Sequence, residues 1–269
     1  MTEKNVPGHT PTPLPDELVD ALQSSEAAAF THDIVMDAID VSMALDRHVM
    51  LYGLEGLFLL ETDEASWRLP PSRAAWVPAG THVKATTINR VRCAAVYLRE
   101  DFAPALAPTL TVFEATPVVR EMFKHTRAWT PQMETTPERE RFLRTLVDLC
   151  REQIGPKSLF SLPKARSAEL RGVLAYTRSK LAEPLRLDDV AKEAAMSPRT
   201  LMRRVKDEIG MTWGQYLHAA RMIRAMEHLA RGLQVTRTAY EVGYATPAAF
   251  TNAFRRYANI APSAYREQV

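Results

Sequence analysis

The chain has 269 residues, 46% of them apolar and 25% charged, which is the balance of a soluble globular protein and too apolar for a disordered one. That length exceeds what one core usually takes, so two modules are expected, one to sense and one to act. The ten glycines spell neither GxGxxG, nor GxxxxGK followed by Ser or Thr, nor GxSxG, and dinucleotide folds, P-loop kinases and ordinary serine hydrolases lose their main sequence support. The net charge of +2 is unevenly shared. Residues 161–269 hold 18 Lys and Arg against 10 Asp and Glu, and residues 1–160 hold 16 against 22. Fourteen of those 18 cations are Arg, whose rigid fork suits phosphates and guanine edges, so a polyanionic partner is expected for the C-terminal half.

The opening MTEKNVPGHTPTPLP is polar and proline-rich, without the apolar core of a signal peptide, and is read as a flexible arm over 1–25. No stretch reaches the roughly 18 consecutive apolar residues of a membrane helix. Cys93 and Cys150 are too few and too far apart for a disulfide framework or a thiolate zinc site. A reducing, cytoplasmic setting without a membrane partner is the expectation.

From Ala38 the sequence AIDVSMALD alternates strictly, with Ile39, Val41, Met43 and Leu45 on one face and Asp40, Ser42 and Asp46 on the other, the period of a half-buried strand. The short apolar runs VMLYG, GLFLLET, WRLPP, AAWVPAG and CAAVYLRE follow. Asp63-Glu64, Pro70-Pro71 and Ala79-Gly80 punctuate them, a spacing that predicts an all-β barrel or jelly roll. Two helices close this half, one starting at Thr116-Pro117 and the other at Thr136-Pro137, where the threonine reads as N-cap with proline at the first helical position. The second carries Phe142, Leu143, Leu146, Leu149, Cys150 and Ile154 at helical spacing and stops at Gly155-Pro156. The domain limits read this way are 26–155 for the barrel and 156–166 for a linker.

Within this half, WRLPPSRAAWVPAGTHV resembles the cupin-type sensor domain at the front of many AraC/XylS-family regulators, where a PP-x-R-A-x-W-x-P-A-G run precedes a histidine. Metal-binding cupins place histidines on an early inward strand and after the AG turn. Here Met43 and Leu45 stand on that strand, and alternation turns either His82 or Val83 inward, not both. Three convergent ligands cannot be assembled, so no metal, cofactor or catalytic residue is expected. What remains is a barrel mouth open to a small molecule. The candidate effector-binding residues are Met43, Leu45, Arg47, Tyr52, Trp67, Trp76 and His82, with core packing the competing role for the two tryptophans and a loop position for His82.

From Leu185 two short amphipathic patterns meet at Met196-Ser197: Leu187, Val190, Ala191 and Ala194 on the first, and Leu201, Val205 and Ile209 on the second, which opens with Ser197 as cap and Pro198. Arg199 and Arg203 share the face opposite Leu201 and Val205, flanked by Thr200 and Arg204, the arrangement of a reading helix in a major groove. A long helix over Thr212–Ala230, about 28 Å at about 1.5 Å per residue, then leads to a second helix-turn-helix pattern striped by Phe250, Phe254 and Tyr257. Over residues 170–269 the chain resembles the AraC/XylS DNA-binding domain. The family's C-terminal signature is met by Ala239, Gly243, Tyr244, Thr246, Phe250, Phe254, Arg255, Pro262, Tyr265 and Arg266. The resemblance places Arg199 and Arg203 where the first unit reads bases and Ala248 and Asn252 where the second does. Ala248 has no hydrogen-bonding side chain, which leaves Asn252 for bases and Arg255 and Arg256 for phosphates.

The expected fold is multidomain α+β: an N-terminal cupin-like β-barrel with two helices, and over 167–269 an all-α domain with two helix-turn-helix units joined by a long helix. The expected function is a sequence-specific DNA-binding transcription regulator, an activator, that binds double-stranded DNA and a small-molecule effector. It forms a homodimer through the helix Thr136–Gly155, and RNA polymerase is a further partner the resemblance allows. It is not expected to be an enzyme. The alternatives are a cupin enzyme fused to a DNA-binding module, and a barrel that serves only as a dimerisation platform.

Overall fold

The computed structural model describes residues 19–20, 22, 27–37, 40–134, 136–155 and 160–269. The expected arm lies almost wholly outside the described residues, as do Ala38, Ile39 and the linker stretch 156–159. The chain divides into two compact units, residues 1–62 with 69–159, and residues 63–68 with 160–269.

The strands of the N-terminal half are, in chain order, β1 (Ala29–Met36), β2 (Asp40–Met43), β3 (His48–Glu55), β4 (Phe58–Glu61), β5 (Ala65–Leu69), β6 (Arg73–Val77), β7 (Val83–Thr87), β8 (Val91–Leu98) and β9 (Thr111–Glu114). Antiparallel pairing orders one sheet β1-β8-β3-β6-β9. A second ladder joins β2, β7 and β4. Helices α1 (Pro117–Thr126) and α2 (Pro137–Gln153) complete the first unit. Alternate residues of the central strands serve two different buried faces. Met50, Tyr52, Ala74, Trp76, Ala94 and Val96 join a core with Phe123 of α1 and Leu146 of α2, whereas Val49, Leu51, Val77, Cys93 and Tyr97 line a cavity. Because both faces are covered, β3 and β8 read as continuous apolar runs rather than alternating ones. Cys150 lies in the helix-backed core, where burial pushes its thiol up to about 12.

The second unit is helical except for a two-stranded ribbon. β10 (Ser161–Pro163) pairs antiparallel with β5, Ser161 opposite Trp67 and Pro163 opposite Ala65, and the ladder is extended by Arg68 N–H donating to Phe160 O at 3.0 Å and Lys164 N–H to Glu64 O at 2.7 Å. Thus a stretch read from sequence as barrel, and part of one read as linker, both belong with the helices. Those helices are α3 (Ala168–Ser179), α4 (Leu187–Glu193), α5 (Pro198–Ile209), α6 (Trp213–Ala230), α7 (Val235–Glu241), α8 (Pro247–Ala258) and α9 (Pro262–Gln268). Their apolar stripes meet in a core that includes Leu170, Leu174, Val190, Leu201, Tyr216 and Ile223. Ser197, Thr212 and Thr246 cap α5, α6 and α8 through their side-chain oxygens, and Gln215 completes a capping box on α6. Both α5 and α8 end on a left-handed residue, Gly210 at φ 72° and Asn259 at φ 58°. Asparagine is the side chain that tolerates this conformation best, so it substitutes for glycine there.

Candidate functional site

The geometry of α5 is set by its buried stripe. Leu201 and Val205 are fully buried and Ile209 nearly so, which turns Arg199, Met202, Arg203 and Lys206 outward. Arg199 and Arg203 have no side-chain hydrogen bond or ion pair among the described residues, and Met202 keeps 50% of its surface exposed. Thr200 is drawn into the cap, its amide donating to Ser197 Oγ at 3.1 Å and its hydroxyl 2.8 Å from that oxygen. Arg204 turns away from the outward face. Its Nη2 donates to Ser167 Oγ at 3.2 Å and stands 3.6 Å from carboxylate oxygens of Glu169 and Glu208, and it is held within the domain. Glu208 also accepts from Ser167 N–H at 2.9 Å and Oγ at 2.7 Å, and these bonds keep its carboxyl below its ordinary pKa.

On α8 the stripe Phe250, Ala253, Phe254 and Ala258 is buried, and Ala248, Asn252, Arg255 and Arg256 face outward. Among the described residues neither Arg255 nor Arg256 forms an ion pair. Between α5 and α8, α6 runs 18 residues, about 27 Å at about 1.5 Å per residue. His218 of α6 stands 3.4 Å from Tyr244 Oη. Burial first, then the charges of Arg256 and Arg221, lower its pKa. Gly243, in the turn before α8, sits at φ 79°; a Cβ there would lie 2.2 Å from Leu181 O and 2.7 Å from Arg221 Nη2, which is why the signature carries glycine at this place.

The first unit holds a cavity of about 90 Å3 lined by residues that include Ile34, Met43, Leu45, Leu51, Phe58 and Leu60. The alternation read over 41–45 sets Val41, Met43 and Leu45 on its wall while Ser42 is exposed. Arg47 also borders it, but its Nη1 donates to Ala27 O at 2.7 Å and its guanidinium stands 5.3 Å from the Phe30 ring centroid. Burial lowers its pKa. The other sequence candidates lie elsewhere. Tyr52 stacks on Phe123, with centroids 5.3 Å apart, and Trp76 Nε1 donates to Ala107 O at 3.2 Å, both in the helix-backed core. Trp67 is buried in the β5–β10 ribbon. His82 is exposed, 3.4 Å from Ser42 Oγ, and Val83 is the buried neighbour. Sequence reasoning passed over His48, which is buried and accepts from Ala79 N–H through Nδ1 at 2.8 Å. It is therefore held neutral with the proton on Nε2, and burial lowers its pKa despite the opposing charge of Glu100. Among the described residues no group of three or more His, Cys, Asp or Glu could hold a metal ion, and no helix is long and apolar enough to cross a membrane.

Residues 190–268 match a family model described as a helix-turn-helix domain, the stretch that contains both α5 and α8. The chain is 25% identical over 217 residues to the HTH-type transcriptional regulator NimR of Escherichia coli strain K12, a match covering 80% of this chain and 78% of NimR. It is 30% identical over 137 residues to the HTH-type transcriptional activator RhaS of Escherichia coli strain SE11, covering 50% of this chain and 48% of RhaS. The chain is thus similar to HTH-type transcriptional regulators over most of its length, and residues 190–268 match a helix-turn-helix domain. Among solved structures, the C-terminal domain of AraT from Geobacillus stearothermophilus is 30% identical, with a TM-score of 0.37, over 38% of this chain and 87% of that one. The C-terminal signature now has a physical reading: Phe250, Phe254 and Tyr265 are core, Gly243 is a close approach, and Thr246 is a cap.

Proposed function

We propose that this chain is an AraC-type transcription regulator that reads a two-part DNA site, with α5 and α8 entering successive major grooves on one side of the duplex. The observation that carries the reading is the outward face of α5, where two arginines that form no side-chain hydrogen bond or ion pair among the described residues flank an exposed methionine on a capped helix. Guanidinium forks suit guanine edges and a thioether suits a thymine methyl. A helix of about 27 Å between the units suits the roughly 34 Å of one duplex turn. Asn252 is assigned to bases, Arg255 and Arg256 to phosphates, and Thr200 and Arg204 to supporting roles through their own hydrogen bonds.

The cavity is assigned a small effector. Its lining is almost wholly apolar and Arg47 is engaged elsewhere, so the reading favours an apolar molecule. Met43 and Leu45 on the wall support binding rather than metal chemistry, and the regulator is read as lacking enzymatic activity and working in the cytoplasm. A homodimer formed through α2, and contact with RNA polymerase during activation, complete the reading.

Genome-wide DNA capture with the full chain tests it. A discrete motif is expected, and the Arg199→Ala/Arg203→Ala double variant is expected to lose it, each arginine contributing about 1–3 kcal/mol of base discrimination. Salt-sensitive capture without a motif, unchanged in the variant, would show a phosphate-holding surface instead.

A further inference from the structure

We infer that the β5–β10 ribbon is a lever on the second reading helix, with Arg68 as its positioning residue, an inference that rests on the DNA-reading function proposed above. Arg68 Nε donates to Glu227 Oε1 at 2.9 Å and Arg68 Nη2 donates to the same oxygen. Both side chains are about nine-tenths buried, at 11% and 9% exposure. Breaking one side of such a pair leaves an uncompensated buried charge, so the geometry is strongly enforced. Glu227 lies in the last turn of α6, where the chain leaves for α7 and α8, and its second oxygen faces Arg224 at 3.7 Å.

The same ribbon also touches the second reading helix. Arg68 N–H donates to Phe160 O, and the Phe160 ring stands 5.6 Å from that of Tyr257 on α8, the residue that follows Arg255 and Arg256. Tyr257 in turn meets His218 of α6 edge-on at 5.8 Å. Phe160 holds a left-handed φ of 53°, a conformation a bulky side chain keeps only where its surroundings fix it. The polar ties of α5, by contrast, run to Ser167 at the start of α3. The ribbon's ion pair and ring contact therefore bear on the far end of α6 and on α8, whereas with the first reading helix it shares only the apolar core that holds Leu162, Leu201 and Val205.

Upstream, Asp63–Arg68 follows β4 after only Thr62, and Phe58 and Leu60 of β4 line the cavity. A change in β4 has a short covalent path to Arg68. Occupancy of the cavity would thus alter how α8 meets DNA while leaving α5 seated. That is a coupling in the required sense, because the effector must bind differently in the two states.

The test is a hydroxyl-radical footprint of the full-length protein on the DNA site recovered by capture, with the half-sites assigned by Arg203→Ala for α5 and Asn252→Ala for α8. Arg68→Ala and Glu227→Gln are each expected to weaken protection of the α8 half-site about tenfold and to leave the α5 half-site unchanged. Equal loss at both half-sites, or none at either, overturns the lever. So does tighter binding by Glu227→Gln, the result expected if these residues act only through net charge near DNA. Should Arg68→Ala fail to fold, Arg68→Lys keeps the charge, loses the fork, and carries the same expectation. Filling the cavity with Leu60→Phe is expected to shift the α8 half-site in the wild-type background and not in Arg68→Ala; an equal shift in both breaks the link from cavity to lever. A wild-type chain that protects no defined site defeats the DNA-reading function itself, before any variant is compared.

Discussion

Met202 is half exposed between two arginines on the face that α5 turns outward, where its thioether is free to cover an apolar group of a partner. The thymine methyl is the one such group on a base edge in the major groove. Met202→Ala is expected to lower affinity for the captured motif by about 1 kcal/mol, roughly the burial of one to two methylene groups. Replacing the contacted thymine by deoxyuridine should cost the wild type a similar amount and cost the variant nothing. Arg204 makes the opposite case. Its guanidinium is held by Ser167 and flanked by Glu169 and Glu208, so Arg204→Ala should leave the preferred base sequence unchanged and weaken specific and random DNA alike, whereas Arg203→Ala should relax the motif. Binding-site selection with each variant checks both. Sequence placed Arg199 and Arg203 on one face because helical period depends only on spacing. It could not separate Arg204 from them, because a flanking arginine chooses between solvent and a hydroxyl 37 residues away.

At the scale of elements, the second helix-turn-helix depends on a turn that admits no side chain. Gly243→Ala would press a Cβ onto the Leu181 carbonyl and hold a non-glycine residue at φ 79°. The left-handed backbone alone costs about 1–3 kcal/mol, so a fall in unfolding free energy of at least that size is expected in urea titration. Ser197→Ala removes the oxygen that accepts from Thr200 N–H and is expected to cost about 1 kcal/mol. Both features were legible in sequence, as a signature glycine and as Ser-Pro before an apolar period. So was the wall of the cavity at Val41, Met43 and Leu45, because β2 has one exposed face and alternates. The placement of Tyr52 and Trp76 was not legible: β3 and β6 are covered on both sides, and a run such as VMLYG does not say which face meets helices and which the cavity. Nor was the β5–β10 ribbon. Its ladder joins residues about a hundred positions apart and its ion pair residues 159 apart, and no local period reports such a contact.

For the whole molecule, both units carry histidines whose pKa burial pushes down: His48 in the first, His218 and His228 in the second. Around His228 the charges of Glu241 and Glu227 oppose the shift and those of Arg224 and Arg231 add to it, with burial the larger cause. A base whose folded pKa is depressed takes up its proton first in the unfolded chain, so that chain binds more protons between the depressed value and the ordinary one near 6.5. Stability is therefore complete above about pH 7 and falls as the pH drops through 6.5 toward the folded values, levelling below them. His48 adds a local consequence, since protonating Nδ1 removes the acceptor for Ala79 N–H in the Pro78-Ala79-Gly80 turn. Unfolding in urea at pH 8, 7, 6 and 5 is expected to show midpoints that decline below 7. Because two units need not melt together, each is followed by one tryptophan, Trp76 in the first and Trp213 in the second, in a background in which Trp129 and Trp67 are replaced by Phe. His48→Gln keeps a carbonyl oxygen for Ala79 and has no proton to gain, so it should flatten the decline reported by Trp76 and leave that of Trp213 unchanged. A decline at Trp76 as steep as in the wild type would assign the acid sensitivity of the first unit to groups other than His48.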